Sequence, residues 1–152
     1  MLLQSPNSHE LTRRIEEEIN HEMTRMGTNE RDIIYKDLSY RVVELAMRVH
    51  SELGGGFLEK VYENALALLL EKEGIPARQQ APVTVRFEGQ SVGDYFADIL
   101  VDGKIILELK TVEKIADAHR AQVINYLRAT GIRLGMILNF GKESFEYERL
   151  VV

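Results

Sequence analysis

The amino-acid sequence predicts an α/β domain whose elements follow the order helix, three antiparallel strands, helix and strand. Apolar residues recur at helical spacing in the first half of the chain, for example at Val42, Val43 and Val49. After Pro76 the period becomes that of strands, and a nearly continuous apolar run, Leu134–Phe140, follows one further helical stretch. The length of 152 residues suits one compact domain with a short appendage.

Two helices open the predicted domain. The first begins at residue 37 or 39 and ends at Leu53, before the three consecutive glycines at 54–56. The second begins near Phe57 and ends at residue 73, because Gly74 and Pro76 supply the glycine and proline that commonly follow a helix.

Two turns divide the strand region into antiparallel strands. Residues 88–90 form the first turn, and Asp102-Gly103 is a strong hairpin signal between two apolar runs. The predicted elements of this half are strands at 82–87, 91–101 and 104–112, a helix at 113–130, a buried strand at Leu134–Phe140, and an edge strand at 145–150.

The first 36 residues are predicted to be a helical extension, and the domain itself to span residues 37–152. A narrow apolar stripe runs along residues 8–26 at positions 11, 15, 19, 23 and 26. We expect this helix to pack on the domain or on a second subunit. A homo-oligomer formed through it is therefore among the expected assemblies.

Composition limits the classes of protein that fit. The absence of cysteine excludes disulfides and thiolate metal sites. Residues 1–8 lack the features of a signal peptide, and no apolar run approaches the roughly 18 residues that span a membrane. We therefore expect a cytoplasmic protein. The net charge of −5 argues mildly against tight, non-specific binding to nucleic acid, although carboxylate metal ligands also make a protein acidic.

The residues that suggest chemistry lie on both sides of the Asp102-Gly103 turn. Glu108 and Lys110 are two apart in a predicted strand, so they share a face. The hairpin can place Asp98 across the ladder from Glu108, and two converging carboxylates form an oxygen site suited to Mg²⁺ or Mn²⁺. A buried Glu108–Lys110 ion pair, or charges on an edge strand in water, would also explain this pattern.

The ordered set of motifs resembles the GxxExxY family of the PD-(D/E)XK, or restriction-endonuclease-like, nuclease superfamily. The matching stretches are Gly56-Phe57-Leu58-Glu59-Lys60-Val61-Tyr62, Asp94-Tyr95-Phe96-Ala97-Asp98, Glu108-Leu109-Lys110, His119 to Leu127, Thr130-Gly131 and Leu138-Asn139-Phe140. The resemblance covers most of the chain and implies a mixed central sheet flanked by helices. Ala97 replaces the superfamily's usual proline before the first acidic residue, a departure that touches no ligand.

The resemblance implies a role for each matching residue. Asp98 and Glu108 would ligate Mg²⁺ or Mn²⁺ with help from the Leu109 carbonyl. Lys110 would position or activate the attacking water, or stabilise the phosphorane-like charge. Glu59 would complete the site through metal or water. The implied reaction is attack of a metal-activated water on a phosphodiester, with DNA as the expected substrate.

Two parts of this assignment have alternatives. A glutamate in the first turn of a helix is favoured by the helix dipole alone, and Glu63, one turn after Glu59, could take either role. His119, Gln122 and Tyr126 share one face of their helix and would support the site or contact substrate, although such a stripe is more commonly solvated.

Two further functions compete with the nuclease. The first is a non-catalytic nucleic-acid-binding or regulatory module that keeps the fold, which the acidic charge favours. The second is a structural assembly protein driven by the N-terminal helix. Intact Asp98, Glu108 and Lys110 favour the enzyme.

Overall fold

A computed structural model describes Glu10, Arg13, Arg14, Glu17, His21 and residues 33–152. The helices of the continuous part are α1 (Lys36–Leu53), α2 (Glu59–Lys72) and α3 (Asp117–Thr130). The strands are β1 (Ala77–Phe87), β2 (Gln90–Val101), β3 (Ile105–Lys110), β4 (Leu134–Phe140) and β5 (Phe145–Val151).

The five strands form one mixed sheet in the order β1-β2-β3-β4-β5. Neighbouring strands are antiparallel except β3 and β4, which run parallel and are connected through α3. The fold class predicted from the sequence, a mixed sheet flanked by helices, is therefore confirmed. β3 is the central strand, so its neighbours shield it on both edges.

Helices cover both faces of the sheet and divide the core into two clusters. The first core lies between the sheet and α1 and α2, and it contains Ile105, Leu107 and Leu109 of β3. The second core lies against α3 and contains Ile106 of the same strand. Since side chains alternate along a strand, Glu108 and Lys110 lie on the α3 face with Ile106.

Helix α3 packs unusually close to the sheet at Gly135. A Cβ atom at this position would lie 2.4 Å from Cγ1 of Val123, too near for any real pair of carbon atoms. Val123 and Leu127 are fully buried there. Gly135 therefore sets the distance between α3 and the strand next to the candidate site.

The β1–β2 hairpin changes direction at Asp98. Ile99 and Val101 pack in the first core, whereas Ala97 packs in the second. A regular strand would keep all three on one face, so the hairpin turns between Ala97 and Ile99. Gln80 lies opposite this point in β1 and has a left-handed φ of 50°, which is uncommon for a residue with a side chain. The turn places Asp98 at the junction of the two cores.

The element boundaries agree with the sequence to within a few residues, with two informative exceptions. The strand predicted at 82–87 begins five residues earlier, at Ala77, and the helix predicted from 113 begins at Asp117. Strand Leu134–Phe140 is as predicted, and all seven of its residues are buried. The predicted stripe at positions 11, 15, 19, 23 and 26 lies outside the described residues. Within the described part of the chain, no helix is both long and apolar enough to span a bilayer.

Candidate active site

Asp98 and Glu108 meet where β2 and β3 separate. Backbone pairing between these strands covers only Ile99–Val101 against Ile105–Leu107. At the next position of this register, Asp98 lies opposite Glu108, and hydrogen bonds to side chains replace the backbone ladder. The carboxylate of Asp98 accepts a hydrogen bond from the Leu109 N–H at 2.8 Å, and the Asp98 N–H donates to Oε1 of Glu108 at 3.2 Å. The hairpin thus brings the two carboxylates together, as the sequence predicted.

Burial makes this pair of carboxylates costly to ionise. Glu108 is only 4% exposed. Burial raises the pKa of Glu108 to about 8, and the neighbouring charge of Asp98 adds to the rise. Burial also raises the pKa of Asp98, against the lowering effect of its hydrogen bond from Leu109. One buried and one partly buried carboxyl group that repel each other form a site that gains from a cation.

Lys110 lies at the end of β3 and reaches α3 rather than Glu108. Its Nζ donates to Oε1 of Gln122 at 3.1 Å, and the Gln122 amide donates to the Tyr126 hydroxyl at 3.2 Å. No Glu108–Lys110 ion pair forms among the described residues. The alternative of a buried Glu108–Lys110 pair is therefore not what the structure shows. Gln122 instead directs the ammonium group.

Tyr126 belongs to the same group of side chains. Burial raises the pKa of Tyr126, and the charges of Glu108 and Asp98 contribute to the rise. Its hydroxyl therefore lies within the electrostatic reach of both carboxylates. Gln122 and Tyr126, two of the three polar residues predicted on this helix face, thus line the candidate site.

His119, the third residue of that helix face, has a local contact. Its Nδ1 atom accepts a hydrogen bond from the Ala116 N–H at 3.0 Å, which satisfies a backbone donor at the start of α3. Arg120 beside it is held by two acidic side chains, with distances of 2.6 Å to Glu148 and 2.8 Å to Asp117. Within residues 33–152, neither residue forms a hydrogen bond or ion pair with Asp98, Glu108 or Lys110.

Helix α2 presents Glu63, not Glu59, toward the carboxylate pair. Glu59 is exposed in the first turn of α2, and in residues 33–152 no hydrogen bond or ion pair joins it to Asp98 or Glu108. Glu63 is 3% exposed, and its charge contributes to the raised pKa of Asp98. The side chain that the sequence offered as the alternative is thus the one that approaches the site.

Three polar side chains hold Glu63 in place. Its carboxylate accepts hydrogen bonds from Gln79 at 2.6 Å, Gln80 at 2.7 Å and Lys60 at 2.8 Å. Sequence reasoning missed both glutamines, because they lie in a segment that was not predicted to be a strand. The only signal in the sequence is that two consecutive glutamines precede an apolar strand. The left-handed backbone at Gln80 allows two consecutive side chains to reach one acceptor.

Asn139 fixes the backbone just after Lys110. This buried residue pairs with Lys110 in the parallel ladder. Its side-chain oxygen accepts from the Val112 N–H at 3.0 Å, and its amide donates to the Val112 carbonyl at 2.9 Å. Asn139 therefore closes the loop that leaves β3 and helps hold Lys110 at the site. The sequence motif contained Asn139 but assigned it no role.

This arrangement of strands, helices and carboxylates agrees with a sequence comparison against family models. Residues 36–150 match the PD-(D/E)XK nuclease superfamily. The chain belongs to this superfamily. No curated protein matches it. Among solved structures, the crystal structure of SSO0001 aligns over 93% of this chain and 75% of its own, with a TM-score of 0.50 and 15% identity. That likeness concerns the fold alone.

PD-(D/E)XK nucleases generally use divalent metal ions, and the donor set of this chain fits one. Carboxylate oxygens of Asp98 and Glu108 and the carbonyl of Leu109 are hard ligands, and Mg²⁺ typically takes one or two protein carboxylates and completes its shell with water and phosphate. Within the described residues no group of three or more His, Cys, Asp or Glu residues stands close enough to enclose a metal alone. An open site of this kind leaves positions for substrate.

Proposed function

We propose that the chain is a divalent-metal-dependent nuclease that hydrolyses phosphodiester bonds in DNA. The observation that carries the proposal is the convergence of the buried carboxylate of Glu108, the partly buried carboxylate of Asp98 and the ammonium group of Lys110. Removing charged groups from water costs free energy, and the charges of Asp98 and Glu108 also repel each other. A purely stabilising role therefore does not explain this pair. Membership of the superfamily supports the same reaction.

Each residue then has a defined part in the reaction. Asp98 and Glu108 hold Mg²⁺ or Mn²⁺, with the Leu109 carbonyl as a further ligand. The bound cation would lower the pKa of water and neutralise charge on the phosphate oxygens. Lys110, held by its hydrogen bond to Gln122, orients the attacking water or stabilises charge on the phosphate oxygens in the transition state. Tyr126 limits the motion of Gln122 through their hydrogen bond.

We also propose that Glu63 contributes the helix carboxylate that the resemblance assigned to Glu59. Its burial, its electrostatic effect on Asp98 and its three hydrogen-bond donors support this role. Glu59 has none of these features. Glu63 would contact the cation through a bound water.

The GxxExxY family within the superfamily remains our proposal for the closer relationship. The tyrosine of that motif, Tyr62, has a clear structural part: its hydroxyl donates to the Gly54 carbonyl at 2.7 Å and accepts from the Phe57 N–H at 3.2 Å. Its ring stacks on Phe140 with centroids 4.7 Å apart. The motif therefore shapes the entry into α2, which carries Glu63. We further propose residues 1–36 as an extension and 37–152 as the nuclease-like domain.

A non-catalytic module with the same fold is the second candidate function, because the net charge of −5 gives little attraction for DNA phosphates. Calorimetric titration of Mn²⁺ or Mg²⁺ separates the two candidates. The nuclease requires binding by the wild type and loss of binding in the Asp98→Ala, Glu108→Ala double variant. Absence of binding by the wild type would favour the non-catalytic module.

A further inference from the structure

The outer half of the β1–β2 hairpin extends beyond β3 and carries exposed aromatic residues next to the candidate site. Only Ile99–Val101 of β2 pairs with β3, so residues 90–98 project past it. Tyr95 and Phe96 of this projection are 51% and 56% exposed. The Tyr95 ring lies 5.9 Å from the ring of Tyr126, which itself responds to the charges of Glu108 and Asp98. Tyr95 thus packs directly on a residue of the candidate site.

The Tyr95 ring is held in place on its inner side while its outer side stays open. It leans on Tyr126 at an interplanar angle of 42°. It also covers Gly93, where an added Cβ atom would lie 3.2 Å from the ring. Isolated exposed aromatic residues are common on protein surfaces and need no function. Tyr95 differs because its ring packs on Tyr126, which is hydrogen-bonded through Gln122 to Lys110.

We propose that Tyr95 stacks on an unpaired base adjacent to the scissile phosphate, so that the substrate is single-stranded or locally unpaired DNA. This inference rests on the proposed nuclease function. A base offers its face to a side chain only where it is unpaired or flipped from the duplex.

The charge of the chain supports the same substrate class. Binding of a duplex depends largely on cations that face phosphates, whereas base stacking supplies affinity without charge. The chain has a net charge of −5, and Arg120, near the start of α3, is neutralised by Glu148 and Asp117. Stacking on Tyr95 would supply affinity that does not depend on the net charge of the chain.

Binding of short DNA by fluorescence anisotropy tests the proposal, with Asp98→Asn as the parent so that no cleavage occurs. The parent should bind a single strand more tightly than a blunt duplex of the same sequence. Tyr95→Leu should weaken binding of the single strand about tenfold, whereas Tyr95→Phe, which keeps the ring, should change it by less than about twofold. Phe87→Leu is the matched control, because Phe87 is 66% exposed at the far end of the same hairpin.

A second measurement does not depend on how well the Tyr95 variants fold. A 2-aminopurine base in the single strand should be quenched when the parent protein binds, through stacking on Tyr95. Absence of quenching at every position, unchanged affinity in Tyr95→Leu, or a preference for duplex would each overturn the inference. Because these are binding measurements, a wild type that binds and stacks but never cuts DNA would refute the nuclease while supporting the stacking role.

Discussion

The carboxylates of Asp98 and Glu108 each accept a hydrogen bond from the other's strand: Asp98 accepts from the Leu109 N–H at 2.8 Å, and Glu108 accepts from the Asp98 N–H at 3.2 Å. These crossed hydrogen bonds replace the ladder where β2 leaves β3. They hold two repelling carboxylates at a fixed separation before any cation binds. Such preorganisation costs stability and is typical of sites built for chemistry.

The raised pKa of Glu108 predicts how stability depends on pH. The group has a pKa of about 8 in the folded protein, against the ordinary 4.5. Between these values the folded state binds more protons than the unfolded state, so stability falls as pH rises. Glu108→Gln keeps the acceptor but removes the charge. We expect this variant, free of metal, to be more stable than the wild type at pH 8 by up to a few kcal/mol.

Chemical denaturation at pH 5 and pH 8 measures this effect. The difference between variant and wild type should nearly vanish at pH 5. Glu146→Gln is a suitable control, because Glu146 is an exposed residue of the edge strand β5. A Glu108→Gln variant that is less stable than the wild type at pH 8 would show that the charge of Glu108 does not destabilise the fold.

The two glutamates of α2 should differ in their effect on metal affinity. Glu63→Gln is expected to weaken Mn²⁺ binding by about tenfold or more, as removal of groups that support metal ligands commonly does. Glu59→Gln should leave the affinity unchanged, because Glu59 is exposed and, within residues 33–152, forms no hydrogen bond or ion pair with Asp98 or Glu108. Calorimetry on both variants makes the comparison. A larger loss in Glu59→Gln would return the role to the residue that the sequence motif favoured.

The sequence places the two strand carboxylates together more firmly than it chooses between the two glutamates of α2, for a physical reason. In the hairpin, the Asp102-Gly103 turn and the two-residue period fix which residues face each other, so Asp98, Glu108 and Lys110 could be placed together. In α2, the choice between Glu59 and Glu63 depends on the tilt of the helix against the sheet. That tilt arises from tertiary packing around Tyr62 and Phe140, which no local pattern encodes.

Contacts between distant segments also explain why the sequence predicts no role for three polar residues of the site. Gln79 and Gln80 lie at a backbone irregularity with a left-handed φ, and their contact with Glu63 joins segments 16 and 17 residues apart. Asn139 was part of a recognised motif, but its hydrogen bonds to Val112 span 27 residues. The turn of the hairpin at Asp98, which places Tyr95 near α3, likewise has no signal in strand alternation.

Gln122 should affect the reaction through Lys110. Gln122→Leu removes the acceptor for the Lys110 ammonium group and the donor to Tyr126. We expect cleavage to slow by about 10- to 100-fold, because a misplaced group near the reacting atoms loses much of its effect. The thermal midpoint should change little, since the side chain is only half-buried. Asn125→Ala, an exposed position of the same helix, is the matched control. An unchanged rate in Gln122→Leu would exclude a positioning role.

The close packing of α3 on β4 predicts a sensitive glycine. Gly135→Ala should destabilise the fold by about 1–3 kcal/mol, because the new methyl group would overlap Cγ1 of Val123. Combining it with Val123→Ala should recover part of the loss, and urea denaturation of the single and double variants measures the coupling. Ala129→Ser, exposed near the end of α3, should be nearly neutral. Strict additivity of the two changes would contradict the contact.

Cleavage of DNA by paired variants tests the central claim most directly. Wild type, Asp98→Asn and Lys110→Met should be assayed with Mg²⁺ or Mn²⁺ on single-stranded and duplex DNA, alongside Asp94→Asn, a control on the same strand β2. The account predicts metal-dependent cleavage by the wild type and by the control, with loss of at least about 100-fold in the two site variants, all of them folded. Cleavage that survives Asp98→Asn or chelation of the metal, or a wild type that cuts neither substrate, would contradict it.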